Sequence, residues 1–248
     1  QRLLPFAFIG AVLLIWEAAA RWGSVPAYIL PAPTDIAARL VESWAILWDA
    51  LLVTTAEILI GFVLGVALGV GLAIPIAYST TVRNTLYPLI VASQAVPKIA
   101  IAPLLVLWLG FDIWPKVAVT ALMVFFPVTV TTAEGLSSVD RNLIDLLRSV
   151  SATQTQIFLR IRVPHALPHI FSGLKVGITL AVVGAVVGEW MGADSGLGYL
   201  LTYANTMLDS TLLFAALFLL VALGVLLFVL VDVAERLLLP WHHGGQDA

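Results

Sequence analysis

Long apolar runs separated by short polar stretches set the pattern of this chain. Leu3–Ala20, a run that begins near Ala50 and is uncharged over Ile58–Ala77, Thr85–Leu109, Val117–Ala133, Leu167–Trp190 and Thr211–Val231 each approach or exceed the length of a membrane-crossing helix. Such a helix needs ~20 mostly apolar residues to cross a hydrocarbon layer ~30 Å thick. The pattern predicts an all-α, polytopic chain of six transmembrane helices forming a single domain over residues 1–248. None of the runs alternates over short segments in the manner of a membrane barrel strand. Arg2 before an apolar run imitates a cleaved leader, but the later spans favour a first membrane helix. One stretch departs from the pattern. "DLLRSVSATQTQIFLRIRVPHALPHI", Asp145–Ile170, is polar, basic and periodic like a helix.

Composition agrees with the membrane reading. Of 248 residues, 61% are hydrophobic and 11% charged, whereas a soluble domain carries about 25% charge. The net charge of −3 is small and says little about partners. Cysteine is absent, which excludes disulfides and thiolate metal sites. The chain begins at Gln1 rather than Met, and a few residues are expected to precede it. An even number of spans puts both termini on one side. With the termini inside, the inner segments hold Arg2, Arg83, Arg141, Arg148, Arg160, Arg162 and Arg236, and the outer segments hold Arg21, Arg39 and Lys116. The excess of inner positive charge predicts cytoplasmic termini and places the polar interruption, about 134–166, in the cytoplasm.

Small residues and prolines modify the spans. Gly61, Gly65 and Gly69 recur at four-residue spacing, as do Gly184, Gly188 and Gly192. Such stripes let helix backbones approach closely in lipid. They serve packing, or else faces that slide during gating. Pro97, Pro103 and Pro127 remove helix hydrogen bonds whose freed partners must be satisfied by protein or water. The third and fourth helices are therefore expected to be broken or kinked. Charge at membrane depth is costly and faces protein or a water-filled path. Glu57, Lys98 and Glu189 are the candidate lining of a translocation path, with internal pairing as the structural alternative. Lys175 lies near the inner face, where it is expected to snorkel to water.

Several chemistries are missing. None of the three lysines, Lys98, Lys116 and Lys175, follows a glycine, so the chain has no Gly-Lys-Ser/Thr phosphate loop. His165 and His169 are four apart, but Pro168 intervenes and no H-E-x-x-H motif forms, so no metal site is expected. His242 and His243 are tail residues. No serine, histidine and acid constellation stands out, and the chain is not expected to be an enzyme or to carry a cofactor.

The interruption itself reads as a helix, a bend and a second helix. Leu143, Ile144, Leu146, Leu147 and Val150 fall at helical spacing, with Asp145 and Arg148 on another face and Asp140 as N-cap. Ile157, Phe158 and Ile161 repeat the pattern behind Thr153, a second cap. Ser151 sits at the bend, Pro164 is expected to end the unit, and Pro168 opens the next span. Its apolar face packs on its own bundle or lies on anionic lipid.

This stretch resembles the cytoplasmic EAA loop of bacterial ABC importer permeases: an acidic triplet, then glycine, isoleucine and Leu-Pro at fixed spacing. Asp145-Leu146-Leu147 stands at the triplet, Ser151 at the glycine, Ile161 at the isoleucine and Val163-Pro164 at the Leu-Pro. Serine at the glycine position restricts the bend at positive φ. "YILPAPTDIAARL" (Tyr28–Leu40), "AVPKIAIAPLLVLWLGF" (Ala95–Phe111) and "GAVVGEWMGADSGLGYLL" (Gly184–Leu201) resemble the nitrate/sulfonate/taurine branch. "TTAEILIGFVLG" and "IWPKVAVTALMVFFP" look most like permeases for thiamine-pyrimidine precursors or riboflavin.

The resemblance implies a type I importer permease in the bacterial inner membrane. Two copies would enclose a path at their interface, and a substrate-binding protein would dock outside, on 21–49, 110–116 and 192–209. ATPase subunits, which bind the ATP and magnesium, would grip the loop as a coupling helix through Asp145, Leu146, Leu147, Ser151, Ala152, Gln156, Ile157, Phe158, Ile161 and Pro164. The partners are thus a second copy, the ATPase, the binding protein and lipid, with no nucleic acid. A nitrate/sulfonate/taurine-type anion is the alternative cargo. An ATP-independent secondary transporter is the alternative class, against which no internal repeat stands out.

Overall fold

The computed structural model describes residues 4–23, 26 and 28–240, and the side chains of Pro5, Phe6 and Arg141 are outside that description. Arg2, Leu3, His242 and His243 therefore lie outside the described residues, as does the side chain of Arg141 in the inner charge count. The helices are α1 (Leu4–Trp22), α2 (Pro33–Glu42), α3 (Trp44–Tyr78), α4 (Thr80–Ser93), α5 (Ala102–Leu109), α6 (Ile113–Ser137), α7 (Arg141–Ser149), α8 (Gln154–Ile157), α9 (Val163–Trp190), α10 (Leu197–Thr206) and α11 (Ser210–Leu238). A 3-10 turn, Lys98–Ile101, precedes α5, and a π-turn, Phe158–Arg162, joins α8 to α9.

Among the described residues four helices are long and apolar enough to cross a membrane: α3, α6, the continuous helix Gln154–Trp190, and α11. A fifth crossing forms if α4 and the segment Lys98–Leu109 count as one span bent by 87°. The expected six are not reached among the described residues. The bend falls beside Pro97, where a missing N–H and a fixed φ end the helix. By contrast α6 runs unbroken through Pro127, so of the break or kink expected there the break is absent.

Residues fall into two compact units. The first holds the described residues within 4–55 and 193–223. Its core joins Ile36, Leu47, Ala50, Leu197, Leu200, Ala204, Leu212, Ala215 and Ala216. Thr54 Oγ1 accepts the Leu197 N–H at 2.8 Å. Asp209 caps α11, its Oδ1 accepting from Leu212 N at 3.0 Å and Thr211 Oγ1 at 2.7 Å. Its Oδ2 accepts from Arg39 Nη2 at 2.6 Å. Burial pushes this carboxyl up, but those hydrogen bonds and the Arg39 charge outweigh it and hold Asp209 below the usual range.

The second unit holds the described residues within 56–192 and 224–240 and is organised around α6. Both glycine stripes face that helix. A Cβ at Gly65 would lie 2.7 Å from the Ala121 carbonyl oxygen. One at Gly184 would lie 2.7 Å from Thr120 Cα, and one at Gly188 would lie 2.8 Å from Lys116 Cα. Only glycine permits these backbones to approach so closely. Gly192 is not part of the stripe: it lies past α9 in a turn, with φ +145°, against Phe111.

Candidate functional site

Two regions of the second unit gather the side chains singled out in the sequence. The first is the elbow between α6 and α9. Asp140 caps α7 by accepting the Asn142 N–H at 2.8 Å, as its position predicts. At the other end Ser151 N bonds Arg148 O at 2.9 Å and Ala152 N bonds Leu147 O at 3.0 Å. This is the glycine-favouring C-terminal motif in which one residue turns left-handed. Ser151 is that residue, with φ +59°, so the serine occupies the conformation for which glycine is best suited. Thr153 then opens α8 through a reciprocal capping box: Gln156 N donates to Thr153 Oγ1 and Thr153 N donates to Gln156 Oε1.

These turns close a small core. Val139, Ile144 and Ile157 are buried together, with Leu147, Ala152 and Ile161 packed around them. Ile157, expected as an outward anchor, is 2% exposed. Phe158 is half-buried and its ring stacks on Tyr78, with centroids 5.0 Å apart. Both face into this unit because the bend folds α8 back over α7, which periodicity alone does not reveal. Leu159 of the π-turn is exposed, and on α7 and its end the apolar side chains left facing out are Leu143, Leu146 and Val150. Their spacing of three and four residues puts them on one face of α7 and its end. Asp145 and Arg148 pair at 3.3 Å in the open. A cavity of about 330 Å³ opens beside this face, lined by Leu147, Val150, Ser151, Ala152, Gln156, Ile157, Arg160 and Ile161.

Pro164 does not end the unit, contrary to expectation. The helix continues because Val163 N bonds Phe158 O, five residues back. That π-turn brings the chain to Pro164 at the first turn of α9, where a proline is tolerated.

The second region is a buried charge cluster. Glu57 of α3 is 0% exposed, Glu189 at the end of α9 is 2%, and Lys116 of α6 is 6%. Lys116 Nζ stands 3.4 Å from Glu57 Oε1, and the Glu189 carboxyl also acts on Glu57. Three helices thus meet at two carboxyl groups and one ammonium. Lys116, counted in the sequence as a charge of an outer segment, lies in the first turn of α6 and is buried there, where it answers Glu57. Glu57 and Glu189 come together in the interior of this unit. Lys98, the third path candidate, stands apart at the bend before α5, 5.0 Å from the centroid of the Phe126 ring. Lys175, expected to reach water, pairs with Asp232 at 2.6 Å and with Glu235, both on α11.

Comparison with known proteins adds to this geometry. The family model described as "Binding-protein-dependent transport system inner membrane component" matches residues 61–241. The formylaminopyrimidine transport permease protein ThiX of Halalkalibacterium halodurans is 43% identical over 168 residues, 67% of this chain and 67% of that protein. The riboflavin transport system permease protein RibX of Chloroflexus aurantiacus is 38% identical over 158 residues, 63% of this chain and 59% of that protein. Among solved structures, a chain of the inward-facing MetNI methionine ABC transporter superposes with a TM-score of 0.59 at 22% identity. That match covers 77% of this chain and 94% of the other.

Proposed function

From the premise that this chain belongs to the family of binding-protein-dependent transport system inner membrane components, the non-catalytic membrane subunits of ABC transporters, we propose that two copies form the path of an ATP-driven importer. Its cargo is a small organic solute of the formylaminopyrimidine or riboflavin kind, delivered by a substrate-binding protein. The cargo class rests on the likeness to the two permeases of those names. Separate ATPase subunits supply the energy, binding ATP and magnesium outside this chain.

The observation that carries this reading is the elbow. A nine-residue amphipathic helix with its own core on one side leaves Leu143, Leu146 and Val150 exposed on the other. Apolar anchors beside a paired Asp145 and Arg148 suit a groove on a partner protein. Force applied there passes through the rigid turn at Ser151 and the capping box into Gln154–Trp190, a single continuous helix. The exposed stripe, with Ser151, Ala152 and Gln156 lining the adjacent cavity, forms the contact. Ile157, Ile161 and Pro164 hold the elbow's shape.

The test is co-purification and ATPase stimulation. The wild-type permease should carry a soluble ATPase through purification. Leu146→Asp should leave a folded permease that no longer retains or stimulates that ATPase. Unchanged stimulation by Leu146→Asp together with Val150→Asp would refute the contact. The ligand recovered from the cognate binding protein decides the cargo.

A further inference from the structure

The elbow is also attached to a second membrane helix. Arg162, last residue of the π-turn, donates from Nη1 to the Ala77 carbonyl at 3.3 Å. Ala77 lies in the last turn of α3, where carbonyls have no partner within their own helix. The same guanidinium lies over the Tyr78 ring, 5.9 Å from its centroid. That ring in turn packs on Phe158 at 5.0 Å and 42°. Tyr78 is therefore held between the first and last residues of the π-turn. Such turns are rare single-turn departures from α geometry and recur at functional positions.

We infer that Tyr78, Phe158 and Arg162 form a clamp that keys the elbow to the C-terminal end of α3, so that displacement of the elbow moves α3 together with α9. The inference rests on the proposed role of the elbow as the place where an ATPase pulls. Its consequence is distinct from that role. Glu57 sits on α3, Glu189 on α9 and Lys116 on the helix between them, so a clamp that moves α3 and α9 in step preserves the buried cluster while the elbow swings. Tyr78, Phe158 and Arg162 are positioning residues, since none of them faces the exposed stripe of α7. The flat guanidinium suits both tasks at once, a hydrogen bond along its plane and a ring against its face, which an ammonium cannot combine.

Hydrogen–deuterium exchange on the whole complex, permease with its co-purified ATPase in nanodiscs, tests the clamp. It compares the nucleotide-free complex with the complex trapped by ATP and vanadate. In the wild type, uptake should shift both in the elbow, residues 140–157, and at the end of α3, residues 72–79. In Tyr78→Ala and in Arg162→Gln the elbow shift should persist and the α3 shift should be lost. Tyr78→Phe, which keeps the ring, should restore it. A purely structural role would alter uptake equally with and without nucleotide. Two results overturn the clamp: an α3 shift retained in both variants, or no α3 shift in a wild-type complex whose elbow responds. A wild-type permease that retains no ATPase overturns the functional reading itself, and the clamp falls with it.

Discussion

Replacing Lys116 by methionine is the most informative single change. Lys116 Nζ and Glu57 Oε1 are 3.4 Å apart, with side chains 7% and 0% exposed. At an effective dielectric of about 20 that separation corresponds to roughly 5 kcal/mol of attraction. Most of it offsets the cost of removing both groups from water. Breaking one side of such a pair costs about 3–5 kcal/mol because the other charge stays buried alone. Here the penalty falls hardest on Lys116→Met, which leaves two carboxyl groups, Glu57 and Glu189, sharing a buried site with no cation. Glu57→Gln removes one of those carboxyls and leaves one ammonium with one carboxyl, so it should be the milder variant. The double variant Glu57→Gln/Lys116→Met should be less damaging than the sum of the singles by at least about 1.5 kcal/mol. Thermal unfolding in detergent, followed by intrinsic tryptophan fluorescence, provides the assay. At about 2–4 °C per kcal/mol for a chain of this size, Lys116→Met should lower Tm by roughly 6–20 °C. Effects of the two single changes that add within about 0.5 kcal/mol would refute the idea that these groups stabilise one another.

Other substitutions probe other parts of the same argument. Gly184→Val places a Cβ 2.7 Å from Thr120 Cα, where backbone must move, so it should destabilise by about 1–3 kcal/mol. Gly71→Ala, where nothing lies within 4 Å, should be neutral or stabilising by up to about 1 kcal/mol; Tm of the two variants in the same detergent separates them. Ser151→Gly and Leu208→Gly replace residues at φ +59° and +57° and should each raise Tm, since left-handed backbone costs a residue with a Cβ about 1–2 kcal/mol. Because Asp209 titrates below its usual range in the folded chain, its stabilisation is fully present above the unfolded value of about 3.9. It is lost as pH falls through the lower folded value. Stability of wild type relative to Asp209→Asn should therefore be flat from neutral pH down to about 5 and converge only on strong acidification; divergence on acidification would reverse the sign.

How far the sequence reveals this molecule depends on whether a feature is local. The caps at Asp140 and Thr153 and the bend at Ser151 are set by neighbours a few residues away, and the spacing of polar and apolar positions discloses them; the left-handed backbone at Ser151 is what the resemblance of that position to a glycine implied. Span-length apolar runs are equally local. Pairings across helices are not. Lys116 looks like a charge in a segment outside the membrane until α3 brings Glu57 to it, and Lys175 looks like a snorkelling residue until α11 supplies Asp232 and Glu235. The elbow shows why periodicity stops short of a site. Residues 143–150 carry apolar side chains on two adjoining faces, Ile144 and Leu147 on one, Leu143, Leu146 and Val150 on the other, and either pattern alone would serve as a docking anchor. The choice between them is made by Ile157, which the bend returns to Ile144, so that the covered face is fixed by the turn and the free face by elimination. A helix of nine residues is too short to be stable alone in water. The face that packs against Ile157 is therefore the one that creates the helix, and the adjoining face is free to serve a partner because the fold does not require it.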